Sequence, residues 1–406
     1  MRPPFFSILA AFACSFGLSA MPVQALGIRI LNQDAEAYAR GNAFTATADN
    51  PSAIYYNPAG ITQLPGGNIE LGIYAVTFDS NVKPAGSNQS YDTPLKIQEV
   101  PQIYLTYTIP DVRLSFGLGI YAPFGLGSEY DDNTPFRTIG TKSTLAYLTV
   151  NPVVAYKLTK TLSIAAGFGI NYGSADFRRG IVVPGDEFRF KGDGFGYGFT
   201  LGMLWQPTTQ HSFGVTYRSA TRLDLRGETD VSSLTPLLIP SGSQRATTKL
   251  DLPQQIVGGY SFRPTPDWNL EVDLDWTDWS QVQQISLHEA TGDLTTVFNW
   301  HSGFTLSVGA TRYFKNGFSL SAGYYYCPNA TPDANYTPIV PDTDLHGFTI
   351  GGAYHHDHWK IALTYGFAYG EDHTVTGSAA SPIGQTADGR YKFTGNAVSL
   401  AVGYSF

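Results

Sequence analysis

Histidine and carboxylate side chains are the first candidates for chemistry in this chain. His355, His356 and His358 surround Asp357, a grouping that could ligate a transition metal. Their spacing matches no defined metal site and they fall in a predicted short turn, so we interpret them as a solvated polar turn. The sequence contains neither a Gly-x-Ser-x-Gly elbow nor a His-Glu-x-x-His motif. We therefore predict no catalytic residue, metal or cofactor; a lipase with a catalytic serine and histidine from separate strands is the enzymatic alternative.

Three cationic side chains could instead bind the head group of a ligand. In the strands that we predict to carry them, Arg179 and His301 fall at alternate positions whose side chains point to the inner face, whereas the side chain of Arg178 would point to the outer face. An arginine fork can bind a carboxylate, and a histidine is partly charged near pH 7. We predict Arg178, Arg179 and His301 as ligand-binding residues. The alternative is that each pairs with a nearby carboxylate such as Asp176 or Asp273.

Strands must position these side chains, because long stretches alternate between apolar and polar residues. In Trp268–Thr277 one face is apolar and the other carries a column of carboxylates, Glu271, Asp273 and Asp275, which requires water or paired cations on that side. Fourteen such segments occur, and an even number allows an antiparallel barrel to close without an unpaired edge in lipid. Their predicted starts are Asn68, Val100, Arg113, Ser143, Thr161, Gly192, His211, Lys249, Trp268, Trp300, Phe318, Leu345, Trp359 and Asn396.

Composition and connection lengths agree with a membrane barrel. Only 14% of the residues are charged, 14% are aromatic and 43 are glycine, yet the mean hydropathy is −0.11 and the mature chain has no apolar run of a length that a membrane helix needs. Short connections alternate with long ones, among them residues 174–191 and 223–248. We predict an all-β, 14-stranded antiparallel transmembrane β-barrel over residues 67–406. The net charge of −8 argues against a nucleic-acid partner.

The two ends of the chain indicate export and barrel assembly. Residues 1–25 combine Arg2, an apolar stretch and Val23-Gln24-Ala25, which is typical of a cleaved signal peptide. The last strand alternates up to Phe406, an ending that resembles the signal by which outer-membrane barrel proteins are recognised for insertion. We expect a monomer that is a client of the barrel-assembly machinery through Phe406. Cleavage would leave Cys327 alone, so no intrachain disulfide is predicted.

Residues 26–66 do not alternate. The pairs Asn50-Pro51 and Asn57-Pro58 are turn formers, and the Ala- and Gly-rich segment before them suits short helices. A barrel of this strand number is too wide for its own side chains to fill, so it either conducts water or carries a plug. We predict that residues 26–66 form a partly helical hatch inside the lumen, with Asn57, Pro58 and Ala59 as its signature. The alternative is a porin with a long N-terminal tail.

The third predicted strand contains an interruption. Pro123 cannot donate to a strand ladder, and glycines flank it at positions 117, 119, 125 and 127. We predict a local gap in the wall at Tyr121, Pro123, Phe124 and Gly125. In the alternative interpretation, residues 121–127 already belong to an outer loop.

Several of these segments together resemble one family. Asn57-Pro58-Ala59, the run YAPFGLGSEYD from Tyr121, LDLPQQIVGGY from Leu250 and WNLEVDLDWTDWSQVQQ from Trp268 are similar to segments of the FadL/TodX outer-membrane transporters of long-chain fatty acids and hydrocarbons. The resemblance implies a hatch, a lateral opening at the third strand, and basic residues near Arg179 and His301. Residues 174–191 are shorter than in the fatty-acid branch, which argues against an outer capture groove.

The function implied by this resemblance is passive transport of a hydrophobic ligand across the outer membrane of a Gram-negative bacterium. Long-chain fatty acids are the first candidate, and neutral hydrocarbons or monoaromatic compounds are the alternative. Outer-membrane lipid would receive the ligand, because each CH₂ group kept out of water is worth about 0.8 kcal/mol. A general porin and an outer-membrane lipid enzyme are the remaining alternative functions.

Overall fold

Strands are the main element of the structure, a computed structural model that describes residues 27–406. The predicted signal peptide, residues 1–25, lies outside this range. No helix in the range is long and apolar enough to cross a membrane. Two short α-helices, α1 (Ala35–Ala39) and α2 (Ala53–Tyr56), and a 3-10 helix (Pro58–Gln63) come first. The strands are β1 (Gly67–Pro84), β2 (Tyr91–Asp92), β3 (Gln98–Thr108), β4 (Leu114–Tyr121), β5 (Gly125–Glu129), β6 (Lys142–Lys157), β7 (Leu162–Arg179), β8 (Glu187–Trp205), β9 (His211–Arg218), β10 (Thr221–Ser232), β11 (Gly242–Leu252), β12 (Gln255–Phe262), β13 (Trp268–Thr277), β14 (Gln284–Glu289), β15 (Gly292–Val297), β16 (Gly303–Tyr313), β17 (Phe318–Cys327), β18 (Leu345–His356), β19 (Trp359–Gly370), β20 (His373–Val375) and β21 (Gly389–Ser405).

These strands form a closed antiparallel barrel. The first strand pairs with β3 on one side and with the last strand on the other, where Asn68 lies opposite Ser405. Three wall strands are each split in two, as β4–β5, β9–β10 and β11–β12, whereas β2, β20 and the β14–β15 hairpin are additions at the outer end. The wall therefore has fourteen strands, and the predicted fold class is confirmed.

The alternation of side chains reverses its sense along the outer third of several strands. On β8 the outward residues are apolar from Phe195 to Trp205, but Arg189, Lys191 and Asp193 are outward and charged. Phe190, on the inward side at that level, is fully buried. The wall therefore leaves the hydrocarbon near Phe195, and beyond that level its apolar face is the inner one.

Because of this reversal, two predicted loops are shorter in the structure than we expected. Residues 174–191 and 223–248 were expected to be long connections, but β7 and β8 leave only residues 180–186 between them, and β10 and β11 leave only 233–241. The prediction was wrong because it required an apolar outward face, whereas Arg222, Asp224 and Arg226 are exposed outward on β10. The part of a strand that lies above the membrane is in contact with water and needs no apolar outward face.

The effect of an outward-facing substitution on stability should therefore depend on the height of the residue in the membrane. Leu363 on β19 is exposed about midway between the outward aromatics Trp359 and Tyr369. Arginine there should lower the free energy of unfolding by about 2–4 kcal/mol, because a charge near the bilayer centre loses its hydration. Urea titrations in lipid vesicles measure this loss.

The matched control is Thr247→Arg on β11, an outward position above the reversal. It should change the free energy of unfolding by about 0.5 kcal/mol or less. Equal losses for the two variants would contradict the proposed membrane level.

Candidate functional site

Residues 27–66 lie inside the barrel, where most of them are buried, and we call them the hatch. One loop of the hatch binds the carboxylate column of β13 through its backbone. Asp273 Oδ2 accepts hydrogen bonds from the N–H groups of Phe44 (2.9 Å) and Thr45 (2.8 Å), and Glu271 Oε1 accepts from Ala46 (2.7 Å) and Thr47 (3.2 Å). The column that seemed from the sequence to need cations is thus satisfied largely by peptide amides.

The signature tripeptide joins this loop to β8, another strand of the wall. Asn57 Nδ2 donates to the carbonyl oxygens of Thr45 (2.8 Å) and Met203 on β8 (2.9 Å), while its Oδ1 accepts from Ala59 N–H (3.2 Å). Pro58 starts the 3-10 helix and lies so close to Gly202 that a Cβ there would be 2.8 Å from the proline ring. Asn57 and Pro58 therefore contact β8, and Ala59 is hydrogen-bonded to Asn57.

A third attachment uses α1. Glu36 lies 2.6 Å from Lys360 on β19, and Thr364 of the same strand donates to the Ala35 carbonyl (2.6 Å). Thr349 on β18 donates to the Ala39 carbonyl (3.1 Å). Residues 35–59, which we call the base of the hatch, are thus fixed to β8, β13, β18 and β19.

Residues 27–31, which we call the tail, run up to the interruption in the third wall strand. Ile30 N–H donates to the Pro123 carbonyl (2.9 Å), and Gly125 N–H donates to the Ile28 carbonyl (2.8 Å). Arg29, between them, forms a β-bridge with Phe124. The backbone of the kink thus pairs with the hatch, a contact that sequence reasoning missed.

The kink is a bulge of one residue. Tyr121 lies opposite Thr149 and Gly125 opposite Ala146, so four steps on one strand face three on β6. Because residues 125–129 form β5, the alternative that residues 121–127 belong to an outer loop is wrong for most of that segment.

The neighbouring strand β3 leaves this part of the wall unpaired. Among residues 27–406, its ladder with the third wall strand ends at Ile103 opposite Ile120, and β5 pairs with β6 alone. A cavity of about 130 Å³ lies along the unpaired edge between Gln98 and Gly127. The Lys96–Glu129 ion pair, at 2.8 Å, lies beside it.

The side chains of the kink face inward. Tyr121 stacks on Tyr104 with ring centroids 6.0 Å apart, and Asn151 donates to its hydroxyl (3.0 Å). Phe124 packs edge-on against Tyr147 at 5.4 Å and is 6% exposed. The predicted residues Tyr121, Pro123, Phe124 and Gly125 therefore all lie at the junction of wall and hatch.

The level of the kink coincides with the reversal in side-chain pattern. On β3, the direct neighbour of the kink, the outward residues change from Ile103 and Pro101 to the charged, exposed Glu99 just beyond the last pair with β4. Asp193 is the first charged outward residue above Phe195 on β8. The unpaired edge thus begins close to the boundary between hydrocarbon and water.

An apolar cavity of about 440 Å³ lies in the upper lumen. This volume is in the usual range for ligand pockets, roughly 300–1,000 Å³. Ile28 of the tail and Leu126 of β5 both line it, and both belong to one apolar cluster with Phe124 of the kink. Its other apolar residues include Phe177, Phe190, Leu250, Val282, Phe298 and Trp300.

Outer loops cover this cavity. Ile139, Ile339 and Pro382 come from three different connections and all line it. Arg137 and Asp186 tie two of the connections together at 2.9 Å. Burial by itself would raise the pKa of the Asp186 carboxyl, but N–H donors of residues 181–183 and the Arg137 guanidinium lower it to about 2. The Asp186 carboxylate, which holds Arg137 in this cover, thus stays ionised at neutral pH.

The comparisons with known proteins match this architecture. The sequence profile of the family described as outer membrane protein transport protein (OMPP1/FadL/TodX) matches residues 17–406. The chain belongs to this family. The long-chain fatty acid transport protein of Escherichia coli O157:H7 is 24% identical over 413 residues, with 89% of each chain covered. Outer membrane protein P1 of Haemophilus influenzae is 22% identical over 458 residues, with 98% of this chain and 96% of that protein covered.

Solved structures show the same fold. A Pseudomonas aeruginosa FadL homologue superposes with a TM-score of 0.84 at 20% identity, covering 96% of this chain and all of that one. The Pseudomonas putida toluene transporter TodX superposes with a TM-score of 0.74 at 19% identity, covering 92% and 98%. This FadL/TodX-family protein is therefore an outer-membrane transport protein of a Gram-negative bacterium.

The three predicted cations have different surroundings in this family member. Arg179 borders the apolar cavity, stacks on Phe188 at 5.2 Å, and has no ion pair within residues 27–406. Arg178 also borders it, but its guanidinium is bonded to Asp176 at 2.9 Å. His301 is exposed and is not among the residues that line the cavity, so the structure does not support it as a pocket residue. Its parity argument fails because β16 begins only at Gly303.

The histidine-rich turn at residues 355–358 has other contacts. His355 lies 3.3 Å from Glu36, and His356 lies 3.4 Å from Asp357. Within residues 27–406 no group of three or more potential ligands is arranged to hold a metal ion. A second cavity, of about 500 Å³, opens beside this end of the barrel between the hatch and polar residues such as Gln206 and Gln210.

Loss of a β13 carboxylate should loosen the hatch. In Glu271→Ala the N–H groups of Ala46 and Thr47 lose their acceptor, which costs about 1–3 kcal/mol for each buried donor. We expect a steady ion conductance in planar bilayers that exceeds that of the wild type.

Glu228→Ala is the matched control, because Glu228 is exposed on the outer face of β10. Its conductance should equal that of the wild type. A Glu271→Ala protein as closed as the control would show that these hydrogen bonds do not hold the hatch.

Proposed function

We propose that this protein carries long-chain fatty acids passively from the outside into the outer membrane. The ligand enters the apolar cavity under the outer loops, displaces the tail, and leaves sideways between β3 and β5. The observation that carries this proposal is the position of Ile28. Its side chain lines the cavity and its carbonyl is bonded to Gly125 of the kink, so one movement of the tail would join the cavity to the unpaired edge.

The base of the hatch makes a route into the periplasm less favourable. That route requires breaking the hydrogen bonds of the hatch loop to Glu271 and Asp273 as well as those of Asn57. The tail route breaks two backbone hydrogen bonds to the kink, the contacts of Arg29, and the hydrogen bond that Tyr56 Oη donates to the Leu31 carbonyl (3.1 Å). A sideways exit also keeps the alkyl chain out of water, a gain of about 0.8 kcal/mol per CH₂ group.

A neutral hydrocarbon or monoaromatic ligand is the second candidate. The observation in its favour is that most of the cavity lining is apolar and that Arg178 is already bonded to Asp176. The TodX structures, whose names include a toluene transporter, share the fold. Arg179 is then the residue that decides between the two ligand classes.

Deletion of Pro123 should abolish uptake. The deletion leaves three residue-to-residue steps between Tyr121 and Gly125, the same number as between their partners Thr149 and Ala146 on β6. The bulge then disappears, and the third strand can pair continuously with its neighbours. We expect the uptake of labelled oleate by whole cells to fall to that of cells lacking the protein, with normal insertion judged by heat-modifiable mobility.

Deletion of Leu237 provides the control, since this residue is fully exposed in an outer loop. It should leave uptake within twofold of the wild type. Undiminished uptake by the Pro123 deletion would rule out the lateral route.

Arg179→Met should separate the ligand classes. A charge-assisted hydrogen bond is worth about 1.5–3 kcal/mol, so the Kd for oleate should rise about 10- to 150-fold, while binding of a neutral alkane should change little. Fluorescence competition in detergent measures both ligands.

Arg178→Met is the matched variant, because Arg178 borders the same cavity but is bonded to Asp176. Its effect on oleate binding should be smaller. An oleate affinity unchanged by Arg179→Met would favour a neutral ligand.

A further inference from the structure

A small cavity lies below the tail, between the hatch and the wall. Its volume is about 20 Å³, and a cavity needs about 10–15 Å³ to hold one water molecule. It lies where the tail, the hatch loop and the wall strands β9 and β13 meet. The residues that matter here are Arg29, Tyr55, Arg218, Asp273 and Asp275.

Four buried polar atoms around this cavity have no hydrogen-bond partner among residues 27–406. They are Arg29 Nε, Tyr55 Oη, Arg218 Nε and Asp273 Oδ1. Arg29, Tyr55 and Asp273 are each at most 3% exposed. Buried polar atoms are nearly always paired, so four of them around one cavity point to a ligand.

The remaining polar atoms of the charged residues are already used. Arg29 binds Asp275 at 2.6 Å and donates to Thr277, while Arg218 donates to Gln255 and to the Tyr55 carbonyl. Asp273 Oδ2 accepts the two N–H groups of the hatch loop. Each side chain therefore has one polar atom left.

We propose that this cavity holds one ordered water molecule that bridges the tail, the hatch and the wall. A water molecule accepts two hydrogen bonds and donates two, which matches two guanidinium N–H donors, one carboxylate acceptor and one hydroxyl. The number and the type of the unused atoms therefore fit a single water.

An ion fits less well. The two arginines are balanced by Asp273 and Asp275 around the same cavity, so the site has no net charge to attract an anion or a cation. An uncompensated ion in so small a space would lose its hydration, which costs several kcal/mol. A neutral ligand is therefore favoured.

The water would link the movable part of the hatch to its fixed part. Arg29 belongs to the tail, whereas Asp273 and Arg218 belong to the wall and Tyr55 belongs to α2. Displacement of the tail would then break the bridge as well as the Arg29–Asp275 ion pair. This role rests on the lateral route proposed above, but the water itself does not.

A crystal structure of the full-length mature protein at 2.0 Å or better tests the site, with parallel soaks in sodium bromide and in rubidium chloride. We expect a peak without anomalous signal that lies 2.6–3.2 Å from at least three of the four atoms. A peak with fewer such partners, no peak, or an anomalous signal from either ion would overturn the proposal.

Hydrogen exchange of the tail amides tests the link. Tyr55→Phe removes one partner of the water without changing the ring, and Tyr130→Phe is the control, since Tyr130 is equally buried but packs under the outer loops. One lost hydrogen bond is worth about 0.5–1.5 kcal/mol, so exchange in peptides that contain residues 28–31 should be about 2- to 12-fold faster in Tyr55→Phe alone. Equal exchange rates in both variants would refute the link between the water and the tail. Neither the crystal structure nor the exchange measurement depends on uptake or on the identity of the transported ligand.

Discussion

Two carboxylates on one wall strand, Glu271 and Asp273, are the constraint on which the rest of the structure depends. A fourteen-stranded barrel encloses more space than its own side chains can fill, and its inward residues are polar. A plug in such a lumen must satisfy both its own peptide groups and those residues. The hatch loop does both, because four consecutive N–H groups meet the two carboxylates. Glycines at close approaches, such as Gly202 beside Pro58, let the plug lie directly against the wall.

The attachments of the hatch are unequal. Its base is bonded to several wall strands through Asn57, Glu36 and the loop on β13, whereas the tail is held by two backbone hydrogen bonds at the kink and by Arg29. The weaker joint is thus the one that closes the path from the apolar cavity to the wall. On the proposed lateral route the tail moves while the rest of the hatch keeps the barrel closed to ions, so an oily molecule can pass without opening a path for ions.

Much of this could be predicted from the sequence, because period-two alternation and the position of Pro123 are local signals. The fourteen strands and the kink residues followed from them. The tail contact could not be predicted, since nothing in residues 27–31 indicates that their backbone pairs with a strand about a hundred positions later. The outer ends of β8, β10 and β11 were missed because the outward face there is charged. Arg179 borders the cavity, in agreement with its predicted inward side, whereas His301 precedes its strand and is exposed. A ligand-binding role for either residue stays a prediction.

The kink lies where the outer surface changes from apolar to charged, and this has a consequence for the orientation of the cargo. An amphiphile that leaves at that height can keep its polar end in the hydrated zone while its alkyl chain slides into the hydrocarbon. It would therefore arrive in the outer leaflet already upright, as a membrane lipid stands, and its head group would never cross the bilayer interior. Movement to the inner leaflet would then be a separate step that this barrel leaves to the membrane.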